Sequence, residues 1–173
     1  MKATLVLLNQ MQSDGVIGAY AIGGAVGATF YLEPVATLDL DVFVHLRPVL
    51  GSALLTLAPL YEYLQARGCR LEGEYIVVEG WPVQFLPPAG PLEEDAITEA
   101  VEFAVEGERA RVMRAEHLVA IALKTGRAKD FGRILQFIEV GVLDATRLDT
   151  ILTRHSLQAK WGAFGERFLR DQP

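Results

Sequence analysis

The sequence predicts an α+β fold, a mixed β-sheet flanked by helices, followed by a helical region at the carboxyl end. Three observations predict it. Short apolar, β-branched runs are concentrated in the first two thirds of the chain, and helical spacing of apolar residues takes over in the last third. The two patterns do not alternate regularly, as a repeated strand–helix–strand array would require. The chain has 173 residues, 51% of them hydrophobic, enough for one sizeable core and a helical appendage. The boundary is placed at residue 113, giving a core of 1–113 and a helical region of 114–173 packing on it.

Taken in order, Leu5 to Gln12 mixes apolar and polar residues at helical spacing, and Ser13-Asp14-Gly15 ends it. Val16 to Ile22 reads as a strand running into Gly23-Gly24, and Ala25 to Leu32 regains helical character. Glu33-Pro34 stops that helix, because the residue before proline is pushed out of the α region. Asp39 to Leu46 alternates as a half-buried strand does, and Leu50 to Ala66 is expected to be a helix closed by Gly68. Arg70 to Val78 and Trp81 to Leu86 read as two strands joined by a Glu79-Gly80 turn, with Pro87-Pro88 ending the second. A short helix from Leu92 to Glu99 precedes a second hairpin, Val101 to Val105 with Arg109 to Met113. Ala115 to Lys124, Ala128 to Val140 and Asp144 to Leu169 supply the carboxyl-terminal helices.

The formal charge of −6 argues against a general nucleic-acid coat protein, which needs clustered positive charge. Its distribution is uneven. Residues 1–107 hold four Lys/Arg against fourteen Asp/Glu, a balance of −10, whereas residues 108–173 hold twelve against eight, a balance of +4. An acidic half that concentrates cations and a basic half that can hold phosphates suit a metal–nucleotide site; ordinary solvated faces are the alternative. The longest uncharged run, Gly15 to Leu32, contains five glycines and reads as strand, turn and helix, so no membrane span and a cytoplasmic location are expected. Cys69 is the sole cysteine, which excludes an internal disulfide framework and a multi-cysteine zinc site. His45 follows the acidic strand, where a packing role at the strand end is expected and an approach to the site is the alternative; His117 and His155 fall on expected helices without a zinc-ligand set, and packing is expected for Trp81 and Trp161.

Chemistry is concentrated at Asp39-Leu40-Asp41. A strand alternates its side chains, so Asp39 and Asp41 share one face while Leu40, Val42 and Val44 take the other. Two carboxylates so close repel unless a cation neutralises them. Mg²⁺, with Mn²⁺ as a substitute, suits them, because it binds through one or two carboxylates and completes its shell with water and phosphate. Gly23-Gly24, between a strand and a helix, is expected to let backbone N–H groups approach a phosphate. Asp39 follows Gly24 after fourteen intervening residues. A surface strand that happens to carry Asp, beside a tightly packed turn, is the alternative.

Ile22-Gly23-Gly24 with Thr37-Leu38-Asp39-Leu40-Asp41-Val42 resembles the signature of the polymerase-β-like nucleotidyltransferase superfamily. A second segment, Glu116-His117-Leu118 followed by Ala122 to Asp130, resembles the helix pair of the bacterial minimal nucleotidyltransferases, including the abortive-infection type toxins. The resemblance covers roughly residues 16–140. It implies a nucleotidyltransferase-like fold, Mg²⁺ held by Asp39 and Asp41, and a nucleoside triphosphate whose phosphates meet Lys124, with Arg127 or Lys129 behind it. Asp130 orients one of these cations or caps its helix, and Thr37 belongs to the motif. The implied reaction moves a nucleoside monophosphate to an acceptor hydroxyl on RNA, protein or a small molecule, and an antitoxin is an implied partner.

Two departures stand against the pattern. Where the family commonly places a third carboxylate, Trp81-Pro82-Val83-Gln84-Phe85-Leu86 offers Gln84, and an amide cannot act as a general base. Val35-Ala36 stand where an Arg often precedes the motif. A degenerate protein that binds nucleotide or a partner without turnover, an enzyme modifying a cationic small molecule such as an aminoglycoside, and a purely structural module therefore all remain open from the sequence.

Overall fold

The structure is a computed structural model and describes residues 1–34, 37, 39–48 and 55–169. Its contacts divide the chain into two compact units, Met1–Met113 and Arg114–Pro173. The first unit is built on a seven-stranded mixed sheet. In chain order its elements are α1 (Lys2–Ser13), β1 (Ile17–Ile22), α2 (Gly24–Ala28), β2 (Leu40–Leu46), α3 (Ala58–Gln65), β3 (Arg70–Glu72), β4 (Tyr75–Val78), β5 (Trp81–Leu86), α4 (Pro91–Thr98), β6 (Val101–Val105) and β7 (Glu108–Val112).

The sheet order is β3-β4-β5-β2-β1-β7-β6. Two pairs, β2 with β5 and β1 with β7, are parallel, and the other four are antiparallel. The mixed α+β architecture is therefore the one the sequence predicts. β2 shows the alternation on which the site depends: Leu40, Val42 and Val44 are buried, and Asp41, Phe43 and His45 between them are partly exposed. The buried set joins Leu5, Leu8 and Met11 of α1, Ile17, Tyr20 and Ile22 of β1, and Leu60 and Leu64 of α3 in one apolar core. Each fully buried side chain of this kind contributes about 1.5–3 kcal/mol, so α1 is part of the core rather than an appendage. At its margin, the Tyr20 hydroxyl donates to Asn9 Oδ1 at 2.8 Å, and Asn9 Nδ2 donates to the Arg109 carbonyl at 2.9 Å.

The structure corrects three predicted elements. α2 ends at Ala28 rather than Leu32. Thr29 Oγ1 bonds back to the Val26 carbonyl at 2.7 Å, the N–H groups of Phe30 and Tyr31 reach carbonyls three residues back, and that of Leu32 returns to Ala28 at 2.9 Å, so the regular ladder gives way to tighter turns after Ala28. α3 starts at Ala58 with Pro59 in its first turn, where a missing N–H is harmless. The predicted start at Leu50 lies outside the described residues. The run Arg70–Val78 is two strands, because Gly73, at φ +64°, opens a two-residue turn of the kind that Gly at the first position favours. The Glu79-Gly80 and Glu106-Gly107 turns have positive φ at both residues, the backbone twist that closes two-residue hairpins.

The second unit contains α5 (Ala115–Thr125), α6 (Ala128–Val140), α7 (Ala145–Arg154) and α8 (Gln158–Phe168). Gly126 and Gly141 close α5 and α6 in the left-handed conformation. Asp144 caps α7 by accepting from the Arg147 N–H at 2.9 Å, and its own N–H donates to buried Glu116 at 2.8 Å. Phe131, Phe164 and Phe168 gather with ring centroids 5.0–5.8 Å apart. No helix of the described residues is long and apolar enough to cross a membrane.

Candidate active site

Asp41 and the glycine turn meet in space. β1 and β2 are antiparallel with Ile22 opposite Val42, which sets the turn leaving β1 beside the start of β2. The Gly23 N–H donates to the Asp41 carbonyl at 2.9 Å and locks that register. Gly24 follows at φ +58°, and a Cβ there would lie 1.8 Å from Asp41 Oδ2 and 2.8 Å from its Cγ. A side chain at 24 and the carboxylate at 41 thus exclude one another as placed. A Cβ on Gly23 would lie 2.7 Å from Phe43 Cε2 and 3.2 Å from Met113 Sδ.

These distances change the reason for the glycines. The sequence predicts that both leave backbone N–H groups to a phosphate, but the Gly23 N–H is used in the sheet. Both are required first because side chains of β2 crowd the turn. The five residues of α2 align too few peptide dipoles to carry the argument from helix polarity.

Asp39 stands one residue ahead of β2, rather than inside it, and is partly exposed. The Thr37 hydroxyl lies 3.3 Å from Asp39 Oδ1 and 3.4 Å from its carbonyl, so it can donate to either. Gln84 is the parallel-register partner of Asp41, between the pairs Leu40–Val83 and Val42–Phe85. The neutral amide therefore occupies the neighbouring strand position beside the acid. Val35-Ala36, the second departure from the family pattern, lie outside the described residues.

Two residues that sequence reasoning passed over belong to this corner. β4 runs antiparallel to β5 with Ile76 opposite Val83, which brings the start of β4 beside Gln84. There Gln84 Nε2 donates to Glu74 Oε2 at 3.3 Å. The next residue, Tyr75, has its phenol held above the usual tyrosine range, first by the charge of Glu74, then by desolvation and by the charge of Asp39, with smaller contributions from a hydrogen bond to Glu74 and from Asp41. Three carboxylates thus act on one hydroxyl. The signal that could have found them is Gly73-Glu74, a turn dipeptide inside a run whose apolar residues suggested one continuous strand.

The donor set can be tested against Mg²⁺. Asp39 and Asp41 offer hard oxygen ligands at a partly exposed edge, and Gly24 leaves the room that the Asp41 carboxylate fills. Among the described residues no three His, Cys, Asp or Glu side chains gather closely enough to hold a metal by themselves. Two carboxylates with remaining positions for water and phosphate fit Mg²⁺, and they fit neither a closed zinc site nor a calcium cage. His45, on the same face of β2, is engaged elsewhere: its Nε2 lies 2.6 Å from Glu94 Oε2 of α4.

Lys124, Arg127 and Lys129 belong to the second unit and are exposed. Lys124 stands in the last turn of α5, where its carbonyl accepts from Lys160 Nζ at 3.0 Å. Arg127 is the residue before α6. Buried Asp130 accepts from the Arg127 backbone N–H at 3.2 Å and from its guanidinium at 2.7 and 3.1 Å. Asp130 therefore both closes the start of α6 and fixes one cation.

The sequence matches no family model and no curated protein. Solved structures do match. An antigenic nucleotidyltransferase-like protein from Paracoccidioides brasiliensis superposes with a TM-score of 0.56 at 15% identity, covering 90% of this chain and 88% of that one. The antibiotic-resistance factor ANT(2″)-Ia in its solution structure gives 0.53 at 14%, covering 96% of both chains. The crystal structure of ANT(2″)-Ia in complex with adenylyl-2″-tobramycin gives 0.50 at 13%, covering 91% of this chain and 98% of that one. At these identities the likeness concerns the fold, which is nucleotidyltransferase-like.

Proposed function

We propose that the protein transfers a nucleoside monophosphate from a nucleoside triphosphate to an acceptor hydroxyl, with Asp39 and Asp41 holding Mg²⁺. The observation that carries this reading is the Asp41 carboxylate seated on Gly24 where β1, β2 and α2 meet, in a chain of nucleotidyltransferase-like fold. Bound Mg²⁺ would supply neutralisation of the triphosphate charge. The chain's own part is positioning. Gly23 and Gly24 bring the turn against the acids, Thr37 steadies Asp39, and Lys124, with Arg127 or Lys129, provides the cations for the triphosphate, as the family resemblance implies. Arg127 is in addition held by Asp130.

The acceptor is the open variable among RNA, protein and small molecule. The balance of −10 over residues 1–107 favours a cationic acceptor, and an aminoglycoside is the representative to test because ANT(2″)-Ia has been solved with adenylylated tobramycin. A toxin paired with an antitoxin is the reading for a macromolecular acceptor; it requires growth arrest on expression that Asp39→Asn relieves.

A second reading rests on Gln84. With an amide opposite Asp41, a degenerate protein would bind nucleotide or a partner protein without turnover. One experiment separates the two. The protein is incubated with each α-labelled nucleoside triphosphate, Mg²⁺, and transfer RNA, cell proteins or an aminoglycoside. Label on an acceptor with pyrophosphate release, lost in Asp41→Asn, supports transfer. Binding of nucleotide without pyrophosphate release supports the degenerate reading.

A further inference from the structure

The geometry points to Glu74 as the proton acceptor of the transfer reaction, its carboxylate held by the Gln84 amide beside Asp41, so that the missing acid of β5 is supplied by the turn before β4. The inference rests on the function proposed above. It begins from two facts. Gln84 is the residue paired with Asp41 in the parallel register, and it cannot take a proton. Its Nε2 nevertheless points at a carboxylate, Glu74 Oε2, 3.3 Å away.

Chain geometry explains how an acid from the turn between β3 and β4 arrives there. Gly73 opens a two-residue turn, so Glu74 stands immediately before β4, at the end where that strand lies beside Gln84. Glu74 is exposed and would remain open to an incoming acceptor. The charges of Glu74, Asp39 and Asp41 all act on the Tyr75 phenol, the residue next to Glu74. Glu74 is assigned to the proton because Asp39 and Asp41 already supply the one or two carboxylates that Mg²⁺ takes.

The step balances without any further reactant. The acceptor O–H gives its proton to Glu74 as the acceptor oxygen forms a bond to the α-phosphorus. The bond from that phosphorus to the bridging oxygen breaks, and its electron pair leaves with pyrophosphate. Glu74 then returns the proton to solvent. Gln84 is a positioning residue: it orients Glu74 and touches no reacting atom.

The test uses the full chain with MgATP, or whichever nucleoside triphosphate proves to be the donor, and the acceptor identified by label transfer. Glu74→Gln is expected to lower kcat by roughly a hundred- to ten-thousand-fold. Its affinity for Mg²⁺–nucleotide, read by calorimetry, should stay within about twofold of wild type. The exchanged pair Glu74→Gln with Gln84→Glu, which returns a carboxylate to β5, should recover much of the lost rate. Gln84→Ala should reduce kcat more than it changes KM. Wild-type transfer left unchanged by Glu74→Gln overturns the inference alone, as does loss of nucleotide affinity in that variant. Absence of transfer by the wild-type protein overturns the proposed function and this inference with it.

Discussion

Replacing Gly24 by Ala probes the contact on which the site depends, and it can be read without any substrate. The new Cβ would stand 1.8 Å from Asp41 Oδ2 and 2.8 Å from Cγ, so the carboxylate must swing away or the turn must move. The residue also sits at φ +58°, where a side chain costs about 1–2 kcal/mol. Crowding in a packed position adds about 1–3 kcal/mol. Gly24→Ala should therefore destabilise the first unit by about 2–5 kcal/mol. Gly15→Ala supplies the control, because Gly15 has φ +73° but nothing within 4 Å of an added Cβ; conformational strain alone, about 1–2 kcal/mol, is expected there. The assay is urea unfolding in a Trp161→Phe background, which leaves Trp81 as the reporter of the first unit. Adding Asp41→Ala removes Oδ2 and Cγ and leaves only Cβ, at 3.1 Å. The double variant should then be less destabilised than the sum of the singles by about 1–3 kcal/mol. Additivity within about 0.5 kcal/mol would refute the claimed approach of Gly24 to Asp41.

Two more outcomes are expected. Burial holds the Tyr20 phenol above its ordinary value of 10.0, so the folded state keeps that proton more tightly than the unfolded chain does; stability should fall as pH rises past about 10, and urea unfolding of Tyr20→Phe should show a shallower alkaline decline. Asp130→Ala removes the buried carboxylate that closes α6 and pairs with Arg127, and should destabilise the second unit by about 1–3 kcal/mol, measured by the helical circular-dichroism signal during thermal unfolding.

Much of the site's first strand was legible in the sequence because β alternation is local. Leu40, Val42 and Val44 announce the buried face of β2, and Asp41 follows on the other by geometry alone. The Glu79-Gly80 and Glu106-Gly107 hairpins were equally readable, since positive φ at two successive residues is a short-range demand. The failures share a cause. The early end of α2 depends on a side-chain bond from Thr29, and the split of the Arg70–Val78 run depends on a glycine that periodicity does not weigh.

The sequence by itself determined the class of fold, the place of Asp41 on the face of β2 opposite Leu40 and Val42, the glycine turn and the neutral residue at Gln84. These follow from period, turn chemistry and residue type, which act over a few neighbouring residues. Only the tertiary structure decided that Gly24 and Asp41 touch, that Gln84 stands opposite Asp41, and that Glu74 comes from the turn before β4 to meet Gln84. Those contacts are fixed by sheet order and register, which are set by burying one face of every strand at once, and no local stretch of the chain carries that information.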